Sequence, residues 1–165
     1  MSAPTQDNNE RYPRIRSVEA SHIGDLIRIG EETNLSAWTA QNYLDELQMP
    51  GSIMLRLESD TNETLGFIVG RLVQGGMVET ETDTEIYNIA IIESEQRKGL
   101  GQQLFDEFVA RCREARVANI WLEVRASNQK AIRFYEQIGF ALVQSRNNFY
   151  ENPREHALLM KLMLK

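Results

Sequence analysis

Hydrophobic positions in this chain recur with two periods, and stretches of each kind alternate along it. Ile23, Leu26, Ile27 and Gly30 fall at helical spacing, and Ser21 stands where an N-cap belongs. Tyr43, Leu44 and Leu47 follow Thr39, a second cap candidate, and Pro50-Gly51 closes that segment. Leu100, Leu104, Phe105, Phe108 and Cys112 form a third helical stripe, opened by Gly99. Ala131, Ile132, Tyr135 and Ile138 form a fourth, with Asn128 as its cap and Gly139 as its stop. Around the helices lie runs with strand character, at 14–18, 53–58, 64–74, 81–92, 119–124, 140–144 and 157–162. Asp60-Thr61-Asn62 and Gln74-Gly75-Gly76 supply turn chemistry between three of them. This order of elements predicts an α/β or α+β fold, with a mixed sheet and helices on both faces.

The bulk properties narrow the class. A chain of 165 residues, 42% hydrophobic and 25% charged, suits one domain with a real core. The polar residues 1–12 read as a disordered leader, leaving 13–165 as a single domain. No apolar run reaches the roughly 18 residues of a membrane span. Cys112 is the only cysteine, which excludes an internal disulfide and suits a cytoplasmic protein. His22 and His156 stand far apart without cysteine or histidine neighbours, so no metal site is expected. The net charge of −6 disfavours nucleic acid as a partner and permits a basic one.

Two stretches carry candidate chemistry. In Gln96-Arg97-Lys98-Gly99-Leu100-Gly101, two glycines at a helix start let backbone N–H groups converge on an anion, beside two full positive charges. That suits a pyrophosphate. Lys98 precedes Gly99, so this is no Walker loop, and Leu104 stands where a Rossmann fingerprint needs its third glycine. A glycine-rich helix start without a ligand is the plainer reading.

In the strand over 119–124, alternation puts Ile120, Leu122 and Val124 on one face and Trp121, Glu123 and Arg125 on the other. Glu123 is a charge within an apolar run. It is either ion-paired with Arg125 or solvated at a strand end, or it is a general base with a raised pKa at a cleft edge. Tyr135 reads as core filler or as a proton donor, and Asn128 as a helix cap or a ligand contact. Glu79, Glu81, Asp83 and Glu85 crowd one short segment, either a solvated hairpin tip or a patch that attracts a basic peptide.

The two stretches, in this order, resemble the GNAT superfamily of N-acetyltransferases. Gln96, Gly99 and Gly101 match its Q/R-x-x-G-x-G/A loop. The run from Trp121 to Asn128, then Ala131-Ile132, Phe134-Tyr135 and Ile138-Gly139-Phe140, looks like its ribosomal-protein alanine N-acetyltransferase branch. Arg146-Asn147-Asn148-Phe149-Tyr150 and Ala37-Trp38-Thr39 resemble two further segments of that branch, although Ala37 replaces the usual proline.

The resemblance implies a mostly antiparallel central sheet with a V-shaped split between two parallel strands, here Tyr87 to Ile92 and Ile120 to Val124. It implies acetyl-CoA as co-substrate, bound by Ile89, Ala90, Ile91, Gln96, Arg97, Lys98, Gly99, Leu100, Gly101, Gln102, Asn128 and Tyr135. By matched position Glu123 is the base and Tyr135 the acid, with Trp38, Glu123 and Tyr150 on the acceptor side. The implied acceptor is the N-terminal amine of a ribosomal protein, attacking directly, so Cys112 needs no role. A small-molecule amine is the alternative acceptor, and a non-catalytic acyl-CoA-binding module the alternative class.

Overall fold

The computed structural model describes residues 13–35, 37–74 and 81–164. The leader expected over 1–12 lies outside them, as does Glu79 of the acidic segment. The elements run β1 (Arg14–Ser17), α1 (Ile23–Glu32), α2 (Ala40–Gln48), β2 (Ser52–Glu58), β3 (Thr64–Gln74), β4 (Thr82–Ile91), α3 (Leu100–Glu114), β5 (Val117–Arg125), α4 (Gln129–Gln137), β6 (Ala141–Tyr150) and β7 (Glu155–Met163).

Four apolar stripes give four helices. Thr39 caps α2 as expected: its hydroxyl accepts from Asn42 N at 3.2 Å, and Asn42 Oδ1 accepts from Thr39 N at 2.8 Å. Ser21 is not the cap of α1. It sits inside a short 3-10 turn over Ala20–His22, where Glu19 and His22 make the reciprocal bonds instead. Asn128 caps α4, its side chain accepting from Ala131 N at 3.2 Å.

The strands form one sheet in the order β1-β2-β3-β4-β5-β7-β6. Every adjacent pair is antiparallel except β4 and β5. Helices α3 and α4 cover one face, burying Leu104, Phe105, Phe108, Ile132 and Tyr135 against Leu55, Ile68, Ile120 and Leu122. Helices α1 and α2 cover the other, around Leu26, Ile29, Tyr43, Phe67 and Val69. Cys112 is fully buried in the first of these cores, as its place on the α3 stripe implied.

Two irregularities shape the sheet's centre. Register between β3 and β4 passes from Val69↔Asn88 to Gly70↔Ile86, leaving Tyr87 as the extra residue of a bulge. Gly70 is needed beside it: a Cβ there would lie 2.5 Å from the Phe108 ring and 2.7 Å from the Glu85 carbonyl oxygen. The parallel pairing of β4 with β5 runs from Thr82↔Val117 to Ile86↔Leu122 and stops. Beyond it, Tyr87–Ile91 and Glu123–Arg125 diverge. The split therefore opens after Leu122, so its β5 arm begins at Glu123, three residues later than the Ile120 the resemblance implied.

Candidate active site

The split brings together the two stretches singled out in the sequence. On the side of α3, the loop from Gln96 to Gly101 takes left-handed conformations at Arg97 (φ 63°) and Gly99 (φ 77°). Gly99 is the N-cap of α3, and no side chain caps the helix. The first intrahelical bond at this end is Gln103 N to Gly99 O, 3.1 Å. The N–H groups of Leu100, Gly101 and Gln102 therefore precede the helix's own ladder. A Cβ at Gly101 would meet only Phe134 and Ile91, at ordinary contact distances of 3.5 to 3.8 Å. Donors ahead of the helical ladder, a helix dipole and two positions without Cβ atoms, Gly99 and Gly101, together fit a pyrophosphate. Gln96 closes the loop: its Nε2 donates to Ile91 O at 2.8 Å, and its Oε1 accepts from Lys130 Nζ. Lys98 lies 3.1 Å from Glu95.

On the face of α1 and α2, Glu123 projects from β5 just past the last β4–β5 pair. Its side chain is 18% exposed. Its ion-pair partner is not Arg125 but Arg146 of β6, with Nη1 to Oε1 at 2.7 Å. Arg125 instead bridges to Glu155 of β7 at 3.5 Å and lies 4.1 Å from the centre of the Tyr150 ring. Glu85 of β4 pairs in register with Trp121 of β5, placing its carboxylate on the same face as Glu123. Burial raises the pKa of Glu85 and the charge of Glu123 raises it further, while Arg146 and Arg71 act against both. Tyr150 is also raised, by burial first and then by Glu123.

Tyr135 comes from the opposite face. It is 8% exposed, packed against Phe134 and Phe140 at centroid separations of 5.6 and 5.7 Å. Burial pushes its phenol well above the usual range, with a smaller push from Tyr150. Trp38, in the α1–α2 connection, is half-buried against Tyr43 and Tyr87, with ring centroids 5.1 and 5.5 Å away. Tyr87, in turn, is raised by burial and by Glu85. A chain of neighbours thus runs from Trp38 through Tyr87 and Glu85 to Glu123 and Tyr150.

Three residues escaped the sequence reading. Glu85 was seen only as part of an acidic segment. Arg146 was noted without its partner. Asn88, just past the bulge, is 4% exposed, and its Nδ2 has no hydrogen-bond partner among the described residues. The acidic segment itself divides. Asp83 is buried and accepts from Asn119 Nδ2 and Trp121 Nε1, both at 2.9 Å, so it is structural rather than a solvated tip. Glu81 is exposed.

A glycine loop at a helix start, a parted pair of parallel strands and a carboxylate at the fork recur in a known family. The acetyltransferase (GNAT) family matches residues 23–140. The chain belongs to that family. It is 40% identical over 151 residues to a [ribosomal protein bS18]-alanine N-acetyltransferase of Escherichia coli K12, covering 90% of this chain and 95% of that one. A relative of the same name from Haemophilus influenzae is 32% identical over 154 residues, covering 91% and 98%. The crystal structure of the ribosomal-protein-S18-alanine N-acetyltransferase from Escherichia coli superposes with a TM-score of 0.79 at 27% identity, covering 92% of this chain and 94% of that one. GNAT membership bears out the fold expected from the resemblance, including the split between β4 and β5.

Proposed function

We propose that this protein transfers the acetyl group of acetyl-CoA to the α-amino group of an N-terminal alanine on a ribosomal protein, in the cytoplasm. The observation that carries the reading is the position of Glu123, a largely shielded carboxylate at the fork of β4 and β5, ion-paired with Arg146 and close to Glu85 and Tyr150. Its support in the comparisons is the activity for which the 40% identical relative is named.

On this reading the backbone of Ile89, Ala90 and Ile91 pairs with the pantetheine arm along the unpaired edge of β4. The N–H groups of Leu100, Gly101 and Gln102, with Arg97, Lys98 and Gly99, hold the pyrophosphate. Gln96 fixes the loop to the end of β4, and Asn128 caps α4 and stands among the residues that contact the donor. Bound acetyl-CoA supplies the thioester that the amine attacks directly. Glu123 takes the proton of the incoming ammonium. Tyr135 keeps its own proton at neutral pH and can give it to the leaving thiolate. An α-amino group, with a pKa near 7.7 to 8.0, needs far less help than a lysine amine near 10.4. One carboxylate is enough for it. Cys112 is buried, needs no covalent role and has none here.

The test is an acetylation assay with CoA release as readout. The acceptors are basic peptides beginning with alanine, the same peptides with their basic residues neutralised, and small amines. The basic peptide should give the highest kcat/KM, falling with added salt because steering is screened over ~8 Å at physiological ionic strength. Equal turnover of basic and neutral peptides, or preference for a small amine, would overturn the acceptor assignment.

A further inference from the structure

The charges around Glu123 do not balance locally, and the imbalance gives Arg146 a task. From β3, Arg71 faces the cleft but is engaged by Glu46 of α2. From β5 and β7, Arg125 and Glu155 pair with each other, and Lys161 lies over the Trp121 ring at 5.2 Å. From β4 comes Glu85, and from β6 come Tyr150 and Arg146. Arg71 acts on Glu85 only while ion-paired to Glu46, so Arg146 is the guanidinium that pairs with Glu123 and also acts most on Glu85.

The backbone favours this arrangement. β6 slips register against β7 between Leu142 and Gln144, pairs evenly from Gln144↔Leu159 to Arg146↔Ala157, and slips again before Tyr150↔Glu155, with Asn148 left-handed between them (φ 53°). Asn148 N donates to His156 Nδ1 at 3.0 Å, fixing the irregular stretch. Arg146 lies 5.6 Å from the centre of the Phe149 ring and reaches back to β5.

We propose that Arg146 is a positioning residue for the transfer: it pins the Glu123 carboxylate at the fork and balances one of the two cleft carboxylates, so that the cleft presents a single uncompensated negative charge to a single ammonium. The acceptor's α-ammonium supplies the second positive charge. This rests on the reading of Glu123 as the base. Without Arg146 both carboxylates would compete for one ammonium, and the pair would hold a proton to higher pH. The proton-holding form cannot act as a base, so the acid limb of kcat/KM would move upward.

The experiment compares the pH dependence of kcat/KM, with an alanine-initiated basic peptide, for wild type, Arg146→Gln, Arg146→Lys, Glu123→Gln and the double variant Glu123→Gln/Arg146→Gln. A nearby opposite charge moves a carboxylate by 1 to 3 pH units, and Arg146 is 44% exposed, so the low end applies. Arg146→Gln should move the acid limb up by about one unit. It should recover toward wild type at high pH and bind acetyl-CoA as wild type does. Arg146→Lys should keep the limb near its wild-type place. In the Glu123→Gln background the Arg146 change should move the limb no further, because the two act as one unit. A limb that stays put in Arg146→Gln, or that moves equally with and without Glu123, overturns the proposal. If Glu123→Gln alone retains wild-type rate and limb, the base reading has failed, and this proposal with it.

Discussion

Gly101→Val separates donor binding from folding. Gly101 is the second residue of α3, and its N–H lies among the three that precede the helical ladder. A Cβ there would touch the Phe134 ring at 3.5 and 3.6 Å and Ile91 at 3.8 Å, so the protein itself accommodates one methyl group. Valine adds two more carbons, which have to fit between the Phe134 ring, Ile91 and the loop surface assigned to the pyrophosphate. Losing one charge-assisted N–H bond costs roughly 1.5 to 3 kcal/mol, or ~10- to 150-fold in Kd. The helix itself should lose nothing, because valine's helix propensity exceeds glycine's by roughly a few tenths of a kcal/mol, so any drop in Tm should stay within a few degrees at this chain length. Calorimetric titration with acetyl-CoA, alongside a thermal melt, reads both numbers. Gly101→Ala should bind nearly as wild type does. Unchanged acetyl-CoA affinity in the valine variant would refute the loop assignment. An affinity loss matched by collapse of the melt would mean that the effect is one of folding.

Tyr135→Phe should fold and bind acetyl-CoA normally yet turn over more slowly, by less than the ~100- to 10,000-fold typical of losing an acid or base, because a thiolate is a fair leaving group; wild-type kcat would return Tyr135 to a packing role. Asp83→Ala should destabilise the fold by about 1 to 3 kcal/mol for each donor it strands on Asn119 and Trp121, measured by denaturant unfolding. Glu85 has a raised pKa when folded, so its ionisation costs stability: its contribution is full below the unfolded pKa and is lost as pH rises through the folded one. Glu85→Gln should therefore raise Tm at pH 8 and leave it nearly unchanged at pH 4. Burial pushes the Cys112 thiol up to about 11, so thiol reagents should label it only when the protein unfolds.

Periodicity made the helices readable, because each buries a stripe against the sheet. β6 was read at half its length: its residues are exposed as far as Phe149, with only Tyr150 half-buried, and a strand at the sheet's rim needs no apolar alternation. The glycine loop was legible because its chemistry is local. Glu85 was not, since its place beside Glu123 depends on the parallel register of Glu85 with Trp121, 36 residues apart in sequence, and on the face these residues share with Glu123. The partner of Glu123 was misread for a similar reason. Arg125 is near in sequence and on the same face, but Tyr150 and Glu155 claim it, and the arginine that reaches Glu123 arrives from another strand.

The shortness of the β4–β5 ladder has a consequence for the energetics of the whole molecule. Five register pairs join the half-sheet β1–β4 to the half-sheet β5, β7 and β6, against nine between β3 and β4. The two units share one core under α3 and α4, so it is opening at the fork, where the ladder ends, that should cost less than global unfolding. A ligand lying in the fork bridges both units and acts as a clamp. At a hundredfold excess over its Kd it adds about 2.7 kcal/mol to the closed form. Amide exchange at the divergent ends, Tyr87–Ile91 and Glu123–Arg125, should slow most when acetyl-CoA is added. Such coupling favours an order of events in which the donor closes the fork before the acceptor meets Glu123.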